Sequence, residues 1–219
     1  MEGYRAGAGT KGSVLVVHDW MGLTDKTKAK VDAIAGLGYT VFAVDVFGKS
    51  VRPKNPDEAR ANSANYYKDR KMFRDRLNAG LAQLKTFSGA LPVAALGYCF
   101  GGTAVIELAR SGADVRAVVS FHGGLDSPAP ADGKNIKARV LALHGADDPF
   151  VSAANLSAFE DEMRTHKVDW QLIKYGGAVH SFTDPTAGQD PSKGAAYNRT
   201  ADQRSWKAMQ NFLEESFVK

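Results

Sequence analysis

The chain has 219 residues, 44% hydrophobic and 24% charged, with a formal net charge of +4. This is a globular composition, long enough for one domain with a full core, and its small basic excess is interspersed with acids, so no nucleic-acid face is expected. The single cysteine excludes an internal disulfide, and no run of 18 apolar residues exists to cross a membrane.

In chain order, apolar runs at 14–18 (VLVVH), 39–46 (YTVFAVDV), 92–98 (PVAALGY), 116–122 (RAVVSFH), 139–144 (RVLALH) and 169–175 (DWQLIKY) read as strands. Their continuous apolarity, without alternation, predicts burial on both faces. Helix-like segments lie between or after them at 24–37, 57–87 (broken somewhere within), 102–110, 152–166 and 200–217. Thr24, Ser152 and Thr200 stand as N-caps, and Gly-Leu-Gly at 36–38 as a helix stop. Strands alternating with helices predict one α/β domain over residues 1–219, a mostly parallel sheet with helices on both faces. The start MEGYRAGAG carries no charged-then-apolar leader. The expected compartment is the cytoplasm, or the periplasm or exterior if a leader has been trimmed.

Ligands of such sheets bind beyond the carboxyl ends of the strands. His18 and Asp19, Asp45 and Phe47, Cys99, His122, and His144 with Asp147 and Asp148 follow the first five runs, and His180 sits in a glycine-rich loop after the sixth. Four of the five histidines therefore fall where a site is expected, and helix faces would be the place for solvated ones.

Gly97-Tyr-Cys-Phe-Gly101-Gly102 has the spacing of a nucleophile elbow, with Cys99 as the nucleophile. The turn is strained and crowded, so its flanking positions require glycine. It sets Cys99 at a helix N-terminus, which favours a thiolate, and aims the Phe100 N–H where an oxyanion would form. A fold of this kind orders its triad as nucleophile, acid, histidine. HGADDPFV and GGAVHSF follow in that order, with Asp147 and Asp148 competing for the acid and His180 as the base.

GYCFGG, HGADDPFV and GAVHSF together resemble the motifs of the dienelactone hydrolase family of α/β hydrolases, and the likeness runs from Gly3 onward. The resemblance implies an α/β-hydrolase fold and a cysteine-dependent hydrolase of small esters or lactones. It implies Cys99 as nucleophile, Asp148 as acid because only it fits the G-x-x-D register, and His180 as base. It implies the Trp20 N–H as second oxyanion donor and Asp19 as partner of the resting cysteine, where the family usually has Glu. The family's carboxylate-binding arginine, four residues past the histidine, is Asp184 here. Arg60 lies near its second arginine. An acid at that place predicts a preference for uncharged substrates, in a pocket with Met21, His122, Phe150 and Phe182. No cofactor or metal is expected: the histidines lack metal-ligand spacing, and the glycine turn lacks the lysine of a phosphate-binding loop. The expected partner is a small ester or lactone, not a nucleic acid or a membrane. The alternative is a small-molecule binder or thiol redox sensor on the same fold.

Overall fold

The computed structural model describes residues 2–49 and 51–218. Seven strands form one sheet: β1 (Gly3–Ala6), β2 (Ser13–Val17), β3 (Thr40–Val44), β4 (Val93–Tyr98), β5 (Ala117–Phe121), β6 (Arg139–Gly145) and β7 (Trp170–Tyr175). Their spatial order is β1-β3-β2-β4-β5-β6-β7. All neighbours are parallel except β1, which runs antiparallel to β3 at one edge. The α-helices among the described residues are α1 (Asp25–Ala35), α2 (Pro56–Lys68), α3 (Arg70–Ser88), α4 (Phe100–Arg110), α5 (Ala153–Thr165) and α6 (Arg199–Phe217).

Successive strand residues face opposite layers. Leu15 and Val17 belong to the apolar layer that includes residues of α2, α3, α4 and α5, and Val14 and Val16 to the layer that includes residues of α1 and α6. The inner strands β2 to β5 are buried along their whole length, as continuous apolarity predicts. β7 departs from that expectation: it is an edge strand, and most of its residues are partly exposed. β1 is not one of the six apolar runs, being short, glycine-containing and only half-buried.

Helix boundaries also differ from the sequence pattern. The 57–87 segment breaks at Asp69, whose carboxylate accepts the Met72 N–H at 2.8 Å and caps α3. Ser152 caps α5 by accepting from Asn155 N–H, as expected. α6 is capped by Asn198, which accepts from Ala201 N–H, not by Thr200. Thr24 occupies the N-cap position of α1, but its hydroxyl makes no capping bond. The helix after Cys99 starts at Phe100, two residues earlier than its apolar pattern.

α4 is the central helix, and every one of its residues is buried. Its last residue, Arg110, is fully buried and makes five hydrogen bonds: two to Glu162, one to Glu107, and one each to the carbonyls of Leu125 and Asp126. A guanidinium has five N–H donors, so this charge is taken out of water with none left unpaired.

Strand register gathers the site. Val17 pairs with Gly97, and Tyr98 with Phe121, so His18, Cys99 and His122 leave three adjacent strands along one edge.

Candidate active site

Cys99 has φ 55° and ψ −115°, the strained turn that the motif demands. Its own N–H donates to Phe121 O at 3.0 Å, and its carbonyl accepts from Gly102 and Thr103 N–H, which ties the turn to β5 and α4. The glycines are required by crowding. A Cβ on Gly97 would strike the Gly101 backbone, and one on Gly101 the carbonyls of Val17 and His18.

His180 Nε2 is 3.1 Å from Cys99 Sγ, and His180 Nδ1 is 2.9 Å from Asp148 Oδ2. The other Asp148 oxygen accepts Phe150 N–H at 2.9 Å. Asp147, the competing acid, points elsewhere: its carboxylate accepts from Gly177 N–H at 3.0 Å. Burial alone would lower the His180 pKa, but the hydrogen bonds to Asp148 and Cys99, with their charges, outweigh it and raise the value to about 10. His180 is clamped by backbone on both sides. Its N–H donates to Gly194 O at 3.1 Å and its carbonyl accepts Ala196 N–H at 3.0 Å.

The N–H groups of Phe100 and Trp20 donate to no protein acceptor among the described residues. Asp19 does not reach the cysteine. Its Oδ1 accepts Met21 N–H at 2.8 Å, a local turn that the short Asp side chain favours, and Cys99 faces His180 instead.

Beside Cys99 lies a cavity of about 310 Å³. Trp20, Met21, His122 and Asp184 line it. Phe182 does not: it is fully buried behind His122, ring centroids 5.0 Å apart. Phe150 stands 64% exposed outside the wall, edge-on to His180 at 5.3 Å. Arg60 is on the exposed face of α2, paired with Asp57 at 3.5 Å, and has no part in the cavity.

Sequence reading missed two lysines. Lys26 and Lys30 lie four apart on α1 and both line the cavity. Lys26 Nζ is 2.8 Å from Asp184 Oδ2. Burial would raise the Asp184 pKa, but Lys26 and Thr186 more than offset it and hold the carboxyl below its usual range. Asp184 is thus an ionised partner of Lys26 and the cap of the turn at Pro185–Ala187, and its charge is not free to repel an anion. Lys30 forms no ion pair among the described residues. Its Nζ sits 4.3 Å from the Tyr98 ring centroid and donates to Thr183 O at 3.3 Å. Burial lowers its pKa, partly offset by the charges of Asp202, Asp184 and Asp19. A lysine pair at this spacing looks in sequence like any solvated helix face, so no signal distinguished it.

His122 Nε2 bonds the Thr183 hydroxyl at 2.8 Å, and burial keeps its pKa well below the usual histidine value. Among the described residues no group of three or more His, Cys, Asp or Glu side chains could hold a metal, and no helix is long and apolar enough to cross a membrane.

The chain is 40% identical over 154 residues to an uncharacterized protein of Caenorhabditis elegans, covering 67% of this chain and 95% of that one. It is 29% identical to the human carboxymethylenebutenolidase homolog, covering 78% and 70%. Among solved structures it is similar to a dienelactone hydrolase-like promiscuous phosphotriesterase from metagenomic libraries. That match has 40% identity and a TM-score of 0.87 over 96% of this chain and 89% of that one. The model of the dienelactone hydrolase family matches residues 1–217, nearly the whole chain. The chain belongs to the dienelactone hydrolase family.

Proposed function

We propose that this ester or lactone hydrolase uses Cys99 as its nucleophile, His180 as its base and acid, and Asp148 to orient His180. The observation that carries this is the unbroken relay from Sγ through the imidazole to a buried carboxylate, 3.1 Å and then 2.9 Å. His180 Nε2 takes the thiol proton, and the sulfur attacks the ester carbonyl. The oxyanion accepts from Phe100 and Trp20 N–H. The tetrahedral intermediate collapses to a thioester as His180 returns the proton to the leaving alkoxide. Water, deprotonated by His180, then releases the acid.

The substrate is small, given the cavity volume. Lys26 neutralises Asp184, so the preference for uncharged substrates expected from that acid alone does not follow. Lys30 supplies an unpaired ammonium suited to a carboxylate on the acyl or lactone portion.

The test is a panel of short neutral and carboxylate-bearing esters and lactones, assayed with wild type, Cys99→Ala and Cys99→Ser. Cys99→Ala loses about 1000-fold or more of the activity. Cys99→Ser keeps the fold but is much slower, because a hydroxyl needs more help from the base. Retention of most activity by Cys99→Ala overturns the nucleophile.

A further inference from the structure

His18 is one residue past β2 and only 1% exposed. It is not a member of the relay, and the proposed chemistry has given it no task. Its ring nitrogens both have backbone partners. Nε2 is 3.1 Å from the Val46 amide nitrogen, and Nδ1 is 2.7 Å from the Asp19 carbonyl oxygen. An amide N–H can only donate, so Nε2 accepts. The proton is then on Nδ1 and is donated to Asp19 O. The two partners thus decide the tautomer. Burial lowers the His18 pKa and keeps the ring neutral, against the opposing pull of the Asp19 carbonyl, Asp45 and Asp19. The ring is wedged edge-on to Phe47 at 4.6 Å and stacked near-parallel to Phe100 at 5.9 Å.

The carbonyl that His18 holds belongs to the Asp19–Trp20 peptide. The described chain has no cis peptide, and in a planar trans unit the C=O and N–H point in opposite directions. Fixing Asp19 O therefore aims Trp20 N–H the other way. Gly22 N–H reaches the same carbonyl at 3.2 Å, a longer and weaker restraint than the 2.7 Å bond from His18. The imidazole also packs on the side chain of Phe100, whose N–H is the other unpaired donor.

We propose that His18 is a positioning residue for the oxyanion hole: by donating from Nδ1 to the Asp19 carbonyl it locks the peptide that presents Trp20 N–H beside Cys99. This rests on the assignment of Cys99 and the two N–H donors above. His18 lines the edge of the cavity, but the role needs only a neutral histidine of one tautomer and no bond from it to substrate.

Two polar variants separate this role from mere structural support. Asparagine places an amide N–H near the position of Nδ1 and keeps the bond to Asp19 O, but cannot reach Val46. Glutamine places an acceptor near Nε2 and keeps the Val46 bond, but leaves Asp19 O to Gly22 alone. Each loses one buried hydrogen bond, so a structural role predicts similar losses. Positioning predicts that His18→Gln lowers kcat for a short neutral ester about 10- to 100-fold, somewhat less than deleting an oxyanion donor outright. KM stays nearly constant, because the interaction lost is made in the transition state. His18→Asn recovers most of that loss. Alkylation of Cys99 by iodoacetamide, a displacement with no oxyanion, proceeds in both variants at close to the wild-type rate. Cys99→Ala runs alongside. If it is inactive while His18→Gln and His18→Asn lose kcat equally, or neither loses any, the positioning role is overturned and the nucleophile stands. A matching fall in the alkylation rate of His18→Gln also overturns it, since the damage is then to the elbow. If Cys99→Ala remains active, the nucleophile fails and this inference fails with it.

Discussion

Asp148→Asn removes one oxygen and one charge, and the structure dictates how the new amide must sit. Asp148 Oδ1 accepts Phe150 N–H at 2.9 Å, and that donor cannot accept. The asparagine oxygen therefore stays on Phe150, and its NH2 turns to His180 Nδ1 in place of Oδ2. An amide NH2 only donates, so Nδ1 becomes the acceptor and the imidazole proton moves to Nε2, facing Cys99 Sγ. That tautomer cannot take the thiol proton. In a serine triad the same reversal lowers kcat about 10⁴-fold. A thiol ionises more readily than a hydroxyl, so we expect about 100- to 1000-fold here, or roughly 3–4 kcal/mol of barrier. The pH profile carries a second signature. The His180 pKa is raised to about 10, so the imidazolium that protonates the leaving group persists below that pH and is lost above it. The alkaline limb of kcat/KM, which reports the free enzyme, should lie near pH 10 in wild type and move to lower pH in Asp148→Asn. The assay is steady-state hydrolysis of a short neutral ester from pH 6 to about 11, with Asp147→Asn as control. Asp147 is exposed and its carboxylate bonds only Gly177 N–H among the described residues, so its variant should stay near wild type. A larger loss in Asp147→Asn, or an alkaline limb unmoved in Asp148→Asn, would refute the reasoning.

Lys30→Met should raise KM for a carboxylate-bearing ester about 10- to 100-fold, the worth of one charged hydrogen bond, and leave a neutral ester of equal size unchanged; equal effects on both would remove Lys30 from recognition. Gly101→Ala pushes a Cβ into the carbonyls of Val17 and His18 and should cost about 1–3 kcal/mol in denaturant unfolding, as overpacked sites do. Arg110→Leu strands buried Glu162 and weakens the hold on Glu107, for a loss of about 3–5 kcal/mol, and adding Glu162→Leu should recover part of it.

The order of the inner strands and helices was legible because burial on both faces leaves a compact apolar run that few other structures explain. The elbow was legible for a different reason: glycines at 97 and 101 answer steric demands of the turn itself and of the end of β2 packed against it. What escaped was set by tertiary pairing. Thr200 and Asn198 are both competent caps, and the loop leading into α6 decides between them. Lys26 and Lys30 became wall residues only when α1 was laid beside the loop after His180, and Asp184 changed meaning with them. Asp19 has the right place for a cysteine partner, but its own backbone at Met21 competes for it. β1 is too short and too polar to form an apolar run of its own, and it is held by antiparallel pairing to β3 at the sheet edge.

The backbone pairing of His180 with the Gly194–Ala196 segment closes residues 181–193 into a loop with a fixed neck. The body of that loop carries Ser181, Thr183, Asp184, Pro185 and Thr186 to the cavity wall, while its neck holds the imidazole. Changes in length or chemistry beyond the neck can therefore reshape what is admitted without moving His180, the proposed base. Phe182 and Thr183 are buried against His122 and belong to the frame, whereas 184–193 is partly or fully exposed. Transplanting 184–193 between relatives is thus a route to new selectivity that leaves His180 and Cys99 in register.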